Sequence, residues 1–175
     1  MTAPRDGQFA THEFTSEGAA ATEHAATALG RLLRGGEIIA LRGELGAGKT
    51  CFVRGLAAGL GVDPEEIASP TFVIAVEHRG TRLGLSHLDA YRLSSAEDLE
   101  SIGFEEMLRQ PSRVMAVEWP ERLGSAFPPP TVDVQLHHTG PTSRRIRLRG
   151  EAALVLAWSR VVTHAPQAPH EPEAT

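Results

Sequence analysis

The most constraining feature of the chain is the glycine-rich run G-E-L-G-A-G-K-T at residues 43–50. It fits the pattern G-x-x-x-x-G-K-[ST] of a phosphate-binding loop, in which glycines allow several backbone N–H groups to point at one anion. A short apolar run at 37–42 precedes the loop, and apolar residues recur at helical spacing over 50–60. This order of strand, loop and helix places a helix N-terminus beneath bound phosphates. The motif therefore predicts a nucleotide site.

Two residues of the loop supply the side-chain chemistry that such a site requires. Lys49 is expected to place its ammonium between the β- and γ-phosphates, and the hydroxyl of Thr50 to bind Mg²⁺. All the other basic residues of the chain are arginine, so the one lysine stands where a compact charge is needed rather than a planar fork. The predicted nucleotide contacts along this segment are Gly43, Glu44, Leu45, Gly46, Ala47, Gly48, Lys49, Thr50 and Cys51.

Charge and composition exclude several classes of protein. Seventeen Lys and Arg residues against 22 Asp and Glu residues give a net charge of −5, the wrong sign for gripping nucleic acid over a broad face. One cysteine, Cys51, forms no internal disulfide, which is typical of a reducing compartment. No apolar run approaches the roughly 20 residues that cross a bilayer, and the first residues lack a hydrophobic signal core. We therefore expect a cytoplasmic protein without a membrane partner.

The pattern of apolar residues and turns predicts a mixed α/β domain over residues 1–163, followed by a disordered Pro-containing tail at 164–175. Helices are expected at 16–34 (with Ser16 as N-cap), 50–60, 94–101 (with a capping box from Ser94), 103–110 and 151–162. Strands are expected at 37–42, 72–78, 83–89, 114–117, 132–138 and 144–149, the last two as a hairpin. Because several strands are adjacent in the chain, we predict a P-loop nucleotide-binding three-layer fold whose sheet is mixed parallel and antiparallel.

Two carboxylates at strand ends are candidates for the Mg²⁺ site. Asp89 closes the strand at 83–89, and Glu118 follows the more apolar run at 114–117. Mg²⁺ on nucleotide phosphates is commonly held by a loop hydroxyl and an acid at the end of a neighbouring strand. His87 shares a strand face with Asp89, where it either orients that acid or is a packed histidine. The spacing leaves open which acid activates water.

Four further features have competing interpretations. The segment Ser69-Pro70-Thr71-Phe72 lies where nucleotide-sensing switches often fall, but a plain loop before a strand fits equally well. Trp119 suits a stacking role, although a core tryptophan is commoner. Cys51 follows the loop at a helix N-terminus, which favours a thiolate, but we favour a buried small side chain. The arginine run at 144–149 could contact RNA. Because Arg145, Arg147 and Arg149 recur with period two, we favour the solvent-facing side of an edge strand.

Four motifs in order make the assignment more specific: the loop at 43–50, S-P-T-F from Ser69, H-L-D-A-Y-R-L from His87, and V-E-W-P-E-R-L from Val117. Over roughly 16–149 the chain resembles the bacterial TsaE family, small P-loop ATPases needed to make threonylcarbamoyladenosine in tRNA. The resemblance implies Mg²⁺–ATP hydrolysis that supports turnover of a TsaD–TsaB complex, which modifies the adenosine beside the anticodon. It implies contact with tRNA only through that complex, and it leaves self-association open.

The resemblance also implies roles for individual residues. Lys49 and Thr50 match the phosphate and Mg²⁺ positions, Glu118 matches the acid associated with Mg²⁺, and Asp89 matches a functionally important acid. The implied catalytic set is thus Lys49, Asp89 and Glu118, and the implied metal set is Thr50, Glu118 and Asp89.

Other implied roles lie around the nucleotide. Trp119 matches a tryptophan near the nucleotide. The resemblance therefore favours a role at the nucleotide over the core position that the residue alone suggests. Thr71 matches a phosphate-sensing hydroxyl, and a loop around Thr15 and Ser16 would approach the adenine. Cys51 departs from the family, which commonly carries a second threonine there.

Three other functions compete with that of an ATPase that acts with partners. A GTPase normally reads guanine with an N-K-x-D loop, which a chain without asparagine does not contain. A small-molecule kinase would need an arginine-rich lid; Arg92 and Arg122 are available, but no evident lid segment contains an arginine cluster. A nucleotide-sensing binding module with incidental hydrolysis uses the same loop, so the sequence does not separate it from an ATPase.

Overall fold

The computed structural model describes residues 9–70, 74–93 and 96–163. The strands and helices are, in chain order, β1 (Phe9–Ser16), α1 (Ala19–Leu32), β2 (Ile38–Arg42), α2 (Lys49–Leu60), β3 (Ala75–His78), β4 (Gly84–Asp89), α3 (Ala96–Ser101), α4 (Phe104–Leu108), β5 (Arg113–Glu118), β6 (Val132–His138), β7 (Arg144–Glu151) and α5 (Ala152–Thr163). Short 3-10 helices lie at Pro64–Glu66, Ala90–Arg92 and Pro120–Ala126.

Seven strands form one sheet in the order β1-β7-β6-β2-β5-β4-β3. The four adjacent strands β6, β2, β5 and β4 run parallel to one another, whereas β7 is antiparallel to β6 and β1, and β3 is antiparallel to β4. The predicted mixed sheet is therefore confirmed. Within the parallel part, Glu118 lies opposite both Leu41 and Asp89. Because ligands of open α/β sheets bind beyond the carboxyl ends of parallel strands, this edge is where a site is expected.

The sheet has a hydrophobic core on each face. Along β5, Val114 and Ala116 belong to one core and Met115 and Val117 to the other, as the alternation of a strand requires. The larger core lies beneath α1, α2 and α5, and the smaller one beneath α3, α4 and the 3-10 helix at Pro120–Ala126. The layers are therefore helix, sheet and helix, as predicted.

The start of the chain differs from the expectation. Ser16 is not a helix cap: it ends β1, and α1 begins at Ala19 after Gly18 in the N-cap position. The buried hydroxyl of Ser16 instead lies 2.8 Å from that of Thr22. Thr15 and Ser16 are thus strand residues and not a loop. The strand was missed because it is formed by pairing with β7, far along the chain, and not by its own pattern.

The alternating arginines of β7 are placed partly as expected. Arg145, Arg147 and Arg149 are exposed, as the period-two pattern predicts. The edge-strand expectation is wrong, however, because β7 lies between β1 and β6. Glu13 on β1 places its carboxylate 3.8 Å from the guanidinium of Arg147.

Some predicted features lie outside the described residues: Thr71, Phe72, the Ser94 cap and the tail at 164–175. The strand expected from Phe72 is described from Ala75, and the helix expected at 103–110 is the shorter α4. Among the described residues, no helix is both long enough and apolar enough to cross a membrane.

Helices α1 and α2 approach so closely that glycine is required at their contact. A Cβ atom on Gly55 would lie 2.2 Å from the carbonyl oxygen of Glu23, and one on Gly59 would lie 2.5 Å from that of Thr27. The Thr27 hydroxyl donates across the same contact to the carbonyl of Gly55 at 2.9 Å. This contact fixes α2, whose first turn follows the glycine-rich loop.

We predict that Gly59→Ala destabilises the protein by about 2 kcal/mol, because the added methyl group must displace backbone atoms. The gain in helix propensity, about 1 kcal/mol, does not offset that cost. Urea unfolding followed by circular dichroism measures the change. Gly18→Ala is the matched control, since no atom lies within 4 Å of its Cβ position; its effect should stay below about 1 kcal/mol. Equal stability of Gly59→Ala and the wild type would contradict the close contact.

Candidate nucleotide-binding site

The loop at 43–48 joins β2 to α2 through three glycines with positive φ. These angles are 146° at Gly43, 75° at Gly46 and 101° at Gly48, a region in which other residues are strained. At Gly43 a Cβ atom would also lie 2.4 Å from the carbonyl oxygen of Leu136, so β6 forms the wall behind the loop. Ala47 is buried, whereas Leu45 is 83% exposed at the tip. The glycines of the motif thus stand where the turn needs them.

The single lysine lies inside this loop. Lys49 is 5% exposed, and its ammonium donates to the carbonyl oxygens of Gly43 at 2.7 Å and Glu44 at 2.9 Å. The same nitrogen lies 3.7 Å from the centre of the Trp119 ring, a cation–π contact. The geometry therefore fixes the ammonium at the mouth of the loop.

The charge of Lys49 is influenced in both directions by its surroundings. Burial lowers the pKa of the ammonium, and this effect exceeds the opposing influence of the carboxylates of Glu118, Asp89 and Glu121, which raise it. The site thus combines a desolvated cation with acids on the neighbouring strands.

Glu118 joins the loop helix to the sheet. Its Oε1 atom accepts a hydrogen bond from the Thr50 hydroxyl at 2.9 Å and lies 2.8 Å from Nε2 of His87. Glu118 and His87 are both almost fully buried. Both contacts fall on one carboxylate oxygen.

His87 does not orient Asp89 as one interpretation of the sequence proposed. It lies on β4 diagonally across from Glu118 on β5, because the register places Asp89 opposite Glu118. Its other ring nitrogen, Nδ1, is buried without a hydrogen-bond partner in the part of the chain that the structure describes. His87 is therefore a hydrogen-bond partner of Glu118 and not of Asp89.

Asp89 occupies the neighbouring strand end and links two segments. Its Oδ1 atom accepts from the backbone N–H of Tyr91 at 3.0 Å, which caps the 3-10 helix that follows. Its Oδ2 atom accepts from the hydroxyl of Ser69 at 3.2 Å. The carboxylate thus touches the start of the expected switch segment, in which Thr71 lies outside the described residues.

Trp119 adopts an unusual backbone conformation beside Glu118. Its φ is 59°, in the left-handed region that non-glycine residues rarely occupy and that is often found at functional sites. Besides Lys49, its ring contacts that of Tyr91, with ring centres 5.1 Å apart. The guanidinium of Arg122 lies 5.2 Å from the centre of the Tyr91 ring. Sequence reasoning missed Tyr91, although it stands two residues after Asp89 in the quoted motif.

Cys51 faces α1 and not the loop. Its sulfur lies 3.6 Å from the carbonyl oxygen of Ala19 and 3.7 Å from Oε1 of Glu23. Burial raises the pKa of the thiol to about 11, and the charge of Glu23 and its hydrogen bond act in the same direction. The sulfur is therefore a thiol at neutral pH, and the side chain, which we expected to be a buried small one rather than a thiolate, is half-buried against α1.

Arg144 begins the arginine run for which an RNA contact is the alternative interpretation, but its side chain is turned towards the glycine-rich loop. Its Nε atom donates to the carbonyl of Ala47 at 3.1 Å, and an Nη atom lies 3.4 Å from that of Gly46. No local pattern signals a contact between residues so far apart in the chain.

Comparison with known proteins identifies the family. The model of the family "Threonylcarbamoyl adenosine biosynthesis protein TsaE" matches residues 16–146. A tRNA threonylcarbamoyladenosine biosynthesis protein TsaE from Treponema pallidum is 47% identical over 120 residues, which cover 69% of this chain and 87% of that protein. The chain belongs to the TsaE family. The resemblance expected from the four motifs is thereby confirmed, and it places the chain in a family of tRNA threonylcarbamoyladenosine biosynthesis.

Further relatives extend the match. A TsaE protein from Synechocystis is 46% identical over 106 residues, or 59% of this chain and 66% of that protein, just under two thirds of its length. The crystal structure of Bacillus subtilis YdiB superposes with a TM-score of 0.67 at 25% identity and covers 89% of this chain and 95% of that one. The α/β fold is thus shared well beyond the quoted motifs.

We predict that Cys51 reacts with iodoacetamide on the order of a hundredfold more slowly at pH 8 than an ordinary thiol, because only the thiolate attacks. A raised pKa means that the rate climbs with each pH unit until the pH nears 11. Mass spectrometry of timed aliquots measures it. Glu23→Gln removes a nearby negative charge and should increase the rate, while the unfolded chain in urea serves as the reference. A folded protein as reactive as that reference would disprove the assignment.

Proposed function

We propose that this TsaE-family chain binds Mg²⁺–ATP at residues 43–50 and hydrolyses it to support turnover of a TsaD–TsaB complex. That complex would form N6-threonylcarbamoyladenosine beside the tRNA anticodon, and this chain would meet tRNA only through it. The observation that carries the proposal is the 2.9 Å hydrogen bond between Thr50 and Glu118, beside the buried ammonium of Lys49. A nucleotide phosphate with its metal requires an ammonium, a hydroxyl and a carboxylate. Lys49, Thr50 and Glu118 supply these three groups next to the glycine-rich loop.

The ammonium of Lys49 is suited to hold a phosphate. An ammonium has three N–H donors, and two of them are directed at the carbonyls of Gly43 and Glu44. The third N–H remains for a β- or γ-phosphate oxygen. The loop carbonyls thus hold in place the positive charge that would attract the phosphate. Because the group is buried, its attraction to an anion is weakened less by water than at the surface.

The acids and the hydroxyl match the chemistry of magnesium. Mg²⁺ prefers hard oxygen ligands and usually takes one or two from the protein and the rest from phosphates and water. Thr50 and Glu118 would hold it, with Asp89 next to Glu118 across the strands. Since Thr50 and His87 both contact Oε1 of Glu118, its Oε2 atom would be the one left to hold the metal. When bound, the cation would neutralise charge that develops on the phosphate oxygens.

Two segments around the site are placed to respond to the nucleotide. Ser69 begins the expected switch segment and contacts Asp89, and Trp119 covers the ammonium of Lys49 with a backbone in a strained region. Hydrolysis would therefore alter residues 69–72 and 118–119 together. Partner contacts made through these segments would then depend on the state of the nucleotide.

Lys49→Ala is expected to abolish measurable Mg²⁺–ATP binding, because the sequence contains no other lysine to replace it. Isothermal titration calorimetry with ATP and a nonhydrolysable analogue, with and without Mg²⁺, measures the loss. Arg54→Ala is the matched control: it removes a cation from the same helix, where Arg54 pairs with Glu23 on α1. The site assignment is refuted if Lys49→Ala retains the affinity of the wild type.

Hydrolysis by the isolated chain is expected to be slow and to accelerate when purified TsaD–TsaB-type partners and tRNA are added. Released phosphate and modified adenosine are measured side by side, with ATP or its nonhydrolysable analogue. Repeated formation of modified adenosine with ATP, but not with the analogue, supports the ATPase. If the analogue sustains the same yield of modified adenosine, the chain is instead a nucleotide-sensing module. Equal hydrolysis rates with and without partners would count against coupling.

A further inference from the structure

The turn between β6 and β7 lies next to the glycine-rich loop, which an arginine at its end contacts. Arg144, the first residue of β7, directs its guanidinium at carbonyl oxygens of both segments. On the loop it contacts Ala47 at 3.1 Å and Gly46 at 3.4 Å. Within its own turn it contacts Ser143 at 2.8 Å and Gly140 at 3.4 Å. One side chain therefore ties the turn to the loop.

Arg144 and Lys49 between them hold four carbonyls of the loop. Lys49 takes those of Gly43 and Glu44, and Arg144 takes those of Gly46 and Ala47. In a planar trans peptide, the C=O group and the next N–H group point in opposite directions. Holding the Ala47 carbonyl towards the hairpin thus turns the following N–H group, that of residue 48, away from it. An anion-binding loop depends on N–H groups turned in this way.

We propose that Arg144 is a positioning residue that holds the phosphate loop in its anion-binding conformation from the hairpin side. The inference rests on the proposed function, because it concerns the affinity of the same site for nucleotide. Lys49 would direct part of its donor capacity to a phosphate, whereas the hydrogen bonds of Arg144 all go to backbone carbonyls. Arg144 would therefore keep its contacts whether or not nucleotide is bound.

The residue type suits this role. A guanidinium carries five N–H donors in a rigid planar fork, so it reaches neighbouring carbonyls on two segments at once. A lysine at this position would supply a charge but not that geometry. The positive charge also extends to the first turn of α2, since Arg144 counteracts part of the rise in the pKa of Cys51 that burial and Glu23 cause.

The test compares Arg144→Ala, Arg144→Lys and the control Arg145→Ala, which removes an exposed arginine from the next position. Calorimetric titration with Mg²⁺–ADP and a nonhydrolysable ATP analogue gives the affinities. Hydrogen bonds from a charged group justify an expected loss of about tenfold for Arg144→Ala. Arg144→Lys should lie between that variant and the wild type, and Arg145→Ala should bind like the wild type.

Kinetics separate positioning from general damage. Arg144 touches no reacting atom, so KM for ATP should rise about tenfold in Arg144→Ala while kcat at saturation changes little. Low millimolar guanidinium chloride should restore part of the affinity of Arg144→Ala and leave Arg145→Ala unchanged. Amide hydrogen exchange at residues 46–48 should be faster in Arg144→Ala without nucleotide.

The outcomes are distinct. If Arg144→Ala does not fold, judged by its thermal melt, Arg144→Lys decides: weakened binding with an unchanged melt supports the role. If the wild type binds nucleotide and a folded Arg144→Ala or Arg144→Lys binds equally well, this inference is overturned while the proposed function stands. If the wild type binds no nucleotide, the proposed function fails and the inference fails with it.

Discussion

Parallel pairing of β2 with β5, and of β5 with β4, brings the carboxyl ends of three strands to one edge of the sheet. Glu118 lies there between Leu41 and Asp89, and the glycine-rich loop begins just after β2. Thr50 and Glu118 are 68 positions apart in the chain, yet their side chains meet at 2.9 Å. Without this register the loop would still form a turn, but no acid would stand beside its hydroxyl.

The loop is supported on two sides by contacts that leave little freedom. Gly55 and Gly59 let α2 lie directly against the backbone of α1, which fixes the start of that helix. On the other side, β6 passes so close to Gly43 that a side chain there has no space. Arg144 also holds the carbonyls of Gly46 and Ala47. A loop held in this way needs little reorganisation to surround an anion, which lowers the cost of binding.

Local signals were sufficient for the loop, for the strands that end in Asp89 and Glu118, and for the family. They failed where a feature depends on distant pairing. β1 presents Ala10, His12 and Phe14 to the core, a face too weakly apolar to be recognised before its partner β7 is known. The partner of His87 follows from the register of β4 on β5, which no spacing within one strand reveals. For the same reason Arg144 resembled its exposed neighbours in the sequence.

The hydrogen bond between Thr50 and Glu118 is compatible with a metal on the same two residues. A hydroxyl has one donor and two acceptor lone pairs, so Thr50 can donate to Glu118 while its oxygen ligates a cation. His87 shares the accepting oxygen and, being buried, limits rotation of the carboxylate. The orientation of the acid is thus set when the sheet folds. If nucleotide binds here as proposed, a site arranged in advance places its groups without further loss of conformational entropy.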